Sequence, residues 1–356
     1  MPGKKRAVQI YFGINLILEG NKMAITVFEF HTPYILESLF QSEKLQALMS
    51  SGALDVQTIE AAASDSRGIY GDYVNVPRLV PMPALTRVDI ASTSTAIATS
   101  TEVSSNNQKF PVLHSRTGAY FNRYDEIRTG EKFAGSLEQS FGQRVSQRTL
   151  ELAGLSLSGG LAGQASTPHT HDKTGSLLTI DMFAAGRALL EDFSTDMGTA
   201  LVHPHVWEDL KKDMRNTYKY VSPSGVTVIT GEIPGIVGVQ NIIVTKELPV
   251  TTGITAVDIY ESFILGPGSL FFAHQALPTL SIDKIVNREV PVFLLAGLCD
   301  LVIGARGTTW TGSAGPTDAQ LATAGNWDES WDDARTSPSV KILSAAGNGT
   351  GVAKNT

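Results

Sequence analysis

Apolar residues stand four apart at Phe133, Leu137, Phe141 and Val145, and nearly everything around them is polar. That spacing puts all four on one narrow seam of a helix, with Glu138, Gln139, Gln143, Arg144, Gln147 and Arg148 on the remaining surface. No Pro interrupts the chain from Gly130 to Leu157, and Gly159-Gly160 follows. The pattern therefore predicts one long helix over about 130–157 that ends at the paired glycines. A stripe so thin predicts a helix lying across a surface rather than through a core.

Other segments carry different periods. Thr32 and Pro33 are start signals for a helix whose apolar positions are Tyr34, Ile35, Leu36, Leu39, Phe40, Leu45 and Leu48, stopped at Gly52. "GDYVNVPRLV" alternates from Gly71 to Val80 and reads as a strand, with Pro77 marking an edge. "GQASTPHTHDKTGS" reads as a polar loop. "TIDMFAAGRALLEDFS" is an amphipathic helix, "TALVHPHVWEDLKKDM" a strand followed by a helix near Pro204. "GVTVITGEIPGIVGVQNIIVTKELP" reads as turn-linked strands. "AVDIYESFILGPGSLFFAHQ" is strand, Gly-Pro-Gly turn, strand. "VPVFLLAG", from Val290, reads as a fully buried strand, and Val340 to Leu343 as a last one. Helices and turn-linked strands interleave without repeats, which is an α+β pattern.

One segment fits neither period. Nine of the fifteen residues from Ala91 to Ser105 are Ser or Thr, and no Gly or Pro occurs from Thr86 to Lys109. Its β propensity allows two paired limbs, but an isolated hairpin with so little apolar surface is marginal in water. The segment is either a linker or an arm whose packing partner lies elsewhere.

Composition narrows the function classes. Hydrophobic residues make up 42% and charged residues only 18% of the 356, a globular composition poor in charge, as in chains whose surface is covered in an assembly. A net charge of −7 argues against a general nucleic-acid binder, which needs a cationic face. The single cysteine, Cys299, excludes an intrachain disulfide and reads as a buried small hydrophobe. The most apolar run, Val290 to Ala305, is shorter than the ~20 residues of a spanning helix and contains Asp300. At the N-terminus, Met23 opens "MAITVFEFHTPYI" like a natural start, so residues 1–22 are expected to be an over-extended start.

Catalytic candidates are sparse. His169, His171 and Asp172 in "HTHD", and His203 and His205 in "HPH", are the residues that would ligate a metal, but each pair lacks a third ligand at suitable spacing. A metal-dependent hydrolase built on the four histidines is the alternative of another class. No nucleophile elbow, P-loop or dinucleotide fingerprint is present, and Glu191-Asp192 and Asp332-Asp333 are adjacent pairs that do not share a site. No catalytic residue, metal or cofactor is expected.

Taken in order, "GDYVNVP", the Ser/Thr-rich segment, "RTGAYFNRYDEIRTGEKFAGSLEQSFGQRVSQRTLELAG", the strand-helix-hairpin block from Ala200 to Pro249, and the tail "GPTDAQLATAGNWDESWDDARTSPSVKIL" resemble the major capsid proteins of tailed bacteriophages, with the Hong Kong 97-type fold. The resemblance spans most of Ala24 to Leu343. It implies an N-terminal arm (1–65), a peripheral domain (66–80 and 112–175) with a spine helix, an extended β-hairpin loop (81–111), an axial domain (176–275), and a return to the peripheral domain with a C-terminal tail (276–356). It implies a structural protein that self-assembles through hexamers and pentamers into an icosahedral shell around double-stranded DNA, without sequence-specific binding and without a membrane. Portal, scaffold and head-decoration or joining proteins are the implied partners, the virion the location, and the host cytoplasm the place of assembly. An encapsulin-like nanocompartment shell is the alternative use of the same fold. The implied inter-subunit contacts are Val88, Ile90, Ile97 and Val103 on the loop, and Phe28, Phe30, Tyr34, Leu36, Leu39 and Phe40 on the arm. The sequence departs from relatives at Gly304-Ala305-Arg306-Gly307, where a His-Pro pair often precedes the Gly. Lys109, at the loop base, is the lone lysine near the loop, and covalent cross-linking through it is not expected.

Overall fold

The computed structural model describes residues 28–30, 42–56, 72–79, 105–122, 133–164, 169–217, 220–221, 227–228, 239–252, 258–285, 292–330 and 337–346. In chain order the first strands are β1 (Phe28–Phe30), β2 (Leu54–Val56), β3 (Tyr73–Leu79), β4 (Ser105–Asn122), β5 (Thr170–Leu177), β6 (Thr199–Val202), β7 (Tyr220–Val221) and β8 (Thr227–Val228). They are followed by β9 (Asn241–Val244), β10 (Val250–Thr252), β11 (Asp258–Leu265), β12 (Leu270–Ile285), β13 (Val292–Ala305), β14 (Thr308–Trp310), β15 (Trp327–Glu329) and β16 (Ser339–Ala345). The helices are α1 (Glu43–Ser50), α2 (Phe133–Gly163), α3 (Ile180–Ala188), α4 (Pro204–Thr217) and the one-turn α5 (Asp318–Leu321).

Two six-stranded sheets organise the chain. The first has the order β1-β12-β13-β4-β3, with β2 also on β12. β3 ends the sheet, so Pro77, which lacks an N–H, stands on an edge strand as its sequence position predicts. The second sheet has the order β5-β16-β11-β6-β9, with β10 on β11. On one face it buries Ala200, Val202, Ile264, Val340 and Ile342 against Phe183 and Leu190 of the α3 region and Val206 and Leu210 of α4.

The long helix differs from its sequence pattern in two ways. It starts at Phe133 and runs 31 residues to Gly163, about 46 Å at 1.5 Å per residue, straight through Gly159-Gly160. Only its first half is a one-sided surface helix. From Leu150 onward it is core: Leu150, Leu152, Ala153, Leu157 and Leu161 are buried together with Ser156 and Ser158. The glycines do not break the helix because they are contact points. A Cβ on Gly163 would lie 2.9 Å from the Trp327 side chain, and one on Gly160 3.1 Å from Ala305. The tail packs on this glycine face, which the Cβ-free surface admits at close range.

The polar stretch from Gln164 to Ser176 is also more ordered than it reads. Thr170–Leu177 forms β5, an edge strand parallel to β16. Backbone pairing is its main hold there, since all eight of its residues are partly or fully exposed. "VPVFLLAG" becomes the start of β13, and it is buried on one face only: Leu295 and Gly297 are covered by α2, while Leu294 and Leu298 are open. The single helix expected from Thr32 to Gly52 is not formed: α1 starts at Glu43 after Ser42 in extended backbone, and it buries Leu45 and Leu48. The amphipathic helix after Thr179 buries Ile180, Met182 and Phe183 as expected. The Gly-Pro-Gly turn joins β11 to β12 across from one sheet to the other, with Gly268 at φ +64. Ser269 Oγ reaches the carbonyls of both Gly266 and Pro338, each at 2.6 Å. Thr32, Tyr34, Ile35, Leu36, Leu39 and Phe40 of the predicted first helix lie outside the described residues, as do Met23 and the residues before it.

Candidate assembly surfaces

The Ser/Thr-rich segment lies in sequence between two paired strands. β3 and β4 are antiparallel, from Tyr73 opposite Pro111 to Leu79 opposite Ser105. Residues 80–104 therefore begin and end at adjacent points on the margin of the first sheet. That base is fastened firmly. The Lys109 N–H donates to Thr309 Oγ1 at 2.9 Å, and Gln108 Nε2 donates to Ser330 Oγ at 2.9 Å. Phe110 stacks on Phe271 with centroids 5.3 Å apart. Lys109 Nζ sits 3.7 Å above the Tyr73 ring, a cation–π contact. Val88, Ile90, Ile97 and Val103 lie outside the described residues. The fastening by Gln108 and Tyr73 has no sequence signal, because its partners, Ser330 and Gly312, come from more than 200 residues away.

At the end of the first sheet that carries Arg116 to Phe121 and Phe293 to Cys299, one face is covered and one is open, whereas around Val112 and Val302 both faces are buried. Residues at odd positions of β13 from Phe293 to Cys299 turn toward α2, where Phe141 and Val145 are buried and Leu137 packs against the same core. Phe133 is the first residue of the helix. The predicted seam is thus the buried side of α2 at Leu137, Phe141 and Val145. Gln139, Ser140, Gln143 and Arg144 on the opposite side are exposed. On the other face of the sheet, Tyr120 is 80% exposed, and Leu294 and Leu298 are 38% and 43% exposed. Tyr120 stands directly opposite Leu294 in the strand register, and Arg116 opposite Leu298. His114 Nδ1 and Asp300 Oδ1, 2.8 Å apart, close one end of this apolar stripe. Sequence alternation alone contained this stripe, but it was hidden inside an apolar run that looks uniformly buried.

Arg148 ties the seam helix to the C-terminal tail. Its guanidinium makes bonds to both oxygens of Asp318 and to Glu151 Oε2 at 2.8 Å. The Asp318 hydrogen bond is the main reason its pKa lies even further above the usual arginine range. Phe28 and Phe30 of the arm lie in β1, opposite Ile282 and Leu280 on the outer side of β12.

The histidines serve the fold. His169 is buried, with Nδ1 2.7 Å from the Ser339 carbonyl, so it pins the start of β16. His171 is on β5 opposite Ile342, with its pKa lowered by burial and then by Lys173. His203 and His205 stack at 5.2 Å, and both lean on Tyr260. The His205 N–H donates to His203 Nδ1 at 3.3 Å. Burial, then the neighbouring His205, lowers the His203 pKa to about 4. Among the described residues, no group of three or more His, Cys, Asp or Glu side chains converges on a point. Cys299 is buried behind Phe141, and burial pushes its thiol up to about 12. No helix among the described residues is long and apolar enough to cross a membrane.

An α+β chain with a fastened arm base, an open apolar sheet face and side chains committed to packing has the makings of a shell subunit. The comparisons agree. The model of the Gp13-like family, described as major capsid protein 13-like, matches residues 82–340. The chain belongs to this family of major capsid proteins. No curated protein sequence matches it. Among solved structures it is similar to the capsid of Ralstonia phage GP4, at 11% identity and TM-score 0.56, with 96% of this chain and 98% of that one covered. It is also similar to the capsid asymmetric unit of cyanophage Pam1, at 13% identity and TM-score 0.50, covering 95% and 100%. A third structure, from Mycobacterium phage Adephagia, has 9% identity and TM-score 0.51, covering 92% and 95%. At such identities the likeness is one of fold, the Hong Kong 97-type fold of tailed-phage capsid proteins. A bacteriophage major capsid protein is a structural protein of the virion, and forming the capsid shell is its function.

Proposed function

We propose that copies of this chain join into hexamers and pentamers and that residues 81–111 act as an extended loop reaching over a neighbouring copy. The observation that carries this reading is the pairing of β3 with β4. It sets the two ends of residues 80–104 side by side at a sheet margin, and those residues have too few apolar side chains for a core of their own. The open stripe of Tyr120, Leu294 and Leu298 supplies an apolar surface on which Val88, Ile90, Ile97 and Val103 of a neighbour dock. The N-terminal arm, through Phe28, Phe30, Tyr34, Leu36, Leu39 and Phe40, adds a second overlap between copies. Each overlap is weak alone, but every subunit makes several, so the shell is multivalent.

In this reading α2 is the spine helix of a peripheral domain (66–80 and 112–175), and 176–275 is the axial domain around which copies gather. Residues 276–356 return to the peripheral domain. Assembly takes place in the host cytoplasm with portal, scaffold and decoration proteins. The chain has no catalytic role. Its net charge of −7 suits a wall that encloses double-stranded DNA without gripping it. Deleting residues 92–102 leaves the β3–β4 register intact and tests the central claim. The expected result is a folded subunit that sediments as small oligomers and shows no closed particles by negative-stain microscopy. Closed shells of ordinary size from that deletion would mean that the segment is only a linker.

A further inference from the structure

β4 changes partners along its length. From Val112 to Asn122 it pairs with β13, and from Ser105 to Pro111 with β3. β13 runs on to Ala305 beside β12, and Phe110 lies on its Gly304, where a Cβ would collide with the ring. From there the β3–β4 ribbon has left β13, and among the described residues no strand pairs with the edge of β4 that β13 vacates. The tail takes that place. The Lys109 N–H, turned to the vacated edge, donates to Thr309 Oγ1 at 2.9 Å. Gln108, only 2% exposed, donates from Nε2 to Ser330 Oγ. On the other limb, Tyr73 Oη donates to the Gly312 carbonyl at 3.3 Å. Both limbs at the root of residues 80–104 are thus held by one segment, 308–330.

That segment has two faces. β14 and β15 pair as Thr308 opposite Glu329, Thr309 opposite Asp328 and Trp310 opposite Trp327, and the Ser330 N–H continues the ladder to the Gly307 carbonyl. Successive side chains of a strand point to opposite sides. Thr308 and Trp327 are buried toward α2, beside Gly160 and Gly163, and Trp310 shares their side. Thr309 and Ser330 point the other way, to the loop root. The Arg148–Asp318 ion pair fixes the same segment to α2 a second time. The β14–β15 ribbon therefore stands between the long helix and the loop root and holds both.

We propose that residues 308–330 form an alignment bracket for the loop, and that Thr309, Gln108 and Tyr73 are positioning residues for the contact between copies. The proposal rests on the loop reading above. A two-stranded ribbon is strongly twisted and marginal alone, so a root tied only to itself leaves its direction loose. Residues 80–104 allow about 12 residues per limb, a reach of at most ~40 Å. A tilt of about 10° at the root would move a tip at that reach by ~7 Å, more than one strand spacing. Fixing the root against α2 removes that freedom before copies meet, and a preordered loop loses less entropy on docking. Thr309 Oγ1 also stands in for the ladder carbonyl that β13 no longer offers to Lys109.

Thr309→Val and Thr309→Ser separate the hydroxyl from the methyl. Val keeps the shape of Thr and removes the acceptor, whereas Ser keeps the acceptor and removes the methyl. Hydrogen exchange by mass spectrometry on the unassembled full chain reads the bracket directly. Thr309→Val is expected to exchange amides 105–111 about ten-fold faster than the wild type, while amides 150–163 of α2 stay unchanged. In sedimentation, well below every melting transition, it is expected to need about ten-fold more protein to form particles. Thr309→Ser should match the wild type in both. Unchanged exchange in Thr309→Val, or an equal change in both variants, would overturn the proposal and make Thr309 an ordinary packing residue. So would particles formed by Thr309→Val at the wild-type concentration. Failure of the loop reading looks different: deletion of residues 92–102 then leaves particle formation intact. If the bracket alone fails, that deletion abolishes particles and Thr309→Val does not.

Discussion

Trp327 lies directly against Gly159 of the long helix: its indole Nε1 donates to the Leu321 carbonyl at 2.8 Å, and a Cβ on Gly159 would come within 2.6 Å of that nitrogen. The same Cβ would collide with the Leu321 carbonyl oxygen. Trp310 meets Trp327 edge-on at 5.0 Å and completes the plug.

Gly159→Ala decides between two opposed effects. In an exposed helix interior, Ala is better than Gly by about 1 kcal/mol. Here the added methyl meets backbone, which cannot swing aside, and overpacking of this kind costs ~1–3 kcal/mol or more. The variant is expected to lose about 1–2 kcal/mol net, read as a fall of several degrees in the melting temperature of the subunit. A gain in stability would mean that the tail does not sit on this helix.

Leu298→Asp, alone or with Tyr120→Asp, separates folding from assembly. Both side chains are on the open sheet face, and surface changes usually stay within about ±0.5 kcal/mol of the parent. The subunit is expected to melt as before, but sedimentation velocity should show that particles no longer form. Unimpaired particles would remove this face from the list of contacts.

His203 gives the chain an acid response. Its folded pKa is about 4, below the ordinary 6.5, so the folded state prefers the neutral ring. The stability this represents is complete above pH 6.5 and is lost as pH falls from there toward 4. Denaturant titrations at pH 7 and pH 5 are expected to show a drop that shrinks in His203→Gln. An equal drop in both proteins would place the acid response elsewhere.

Glu191 has φ +48, in the left-handed region that side chains avoid. Arg187 clamps the following turn, with Nε and Nη2 donating to the Ser194 carbonyl at 3.2 and 2.7 Å. Glu191→Gly is expected to raise stability by up to about 1 kcal/mol, measurable as an upward shift in denaturation midpoint. A loss would show that the Glu191 side chain contributes more than the strain it causes.

Local patterns were legible where one element answered to its own residues. The seam at Leu137, Phe141 and Val145, the edge strand with Pro77, and the helix from Ile180 all followed from spacing. Errors arose where a distant segment decided. Gly159-Gly160 reads as a stop until Trp327 and Thr308 arrive to fill the space their missing side chains leave. Thr170–Leu177 has no strand pattern, and only β16, some 170 positions on, makes it one. Leu294 and Leu298 look buried because an apolar run records neighbours of either kind. The contacts between copies were least legible, because a surface that waits for a partner obeys no period of its own.

The Gly266–Ser269 crossing has a consequence for the making of the protein. Two of the interior strands of the first sheet, β12 and β13, and two of the second, β11 and β16, are drawn from the last third of the chain. A ribosome must therefore deliver β3 to β6 and the long helix first and hold them without these central partners. The first sheet cannot close until Ala305 has emerged, nor the second until Ala345 has, and long-range pairing of this sort folds slowly. Translation itself thus withholds the subunit's finished surfaces until its last sheet strand has appeared.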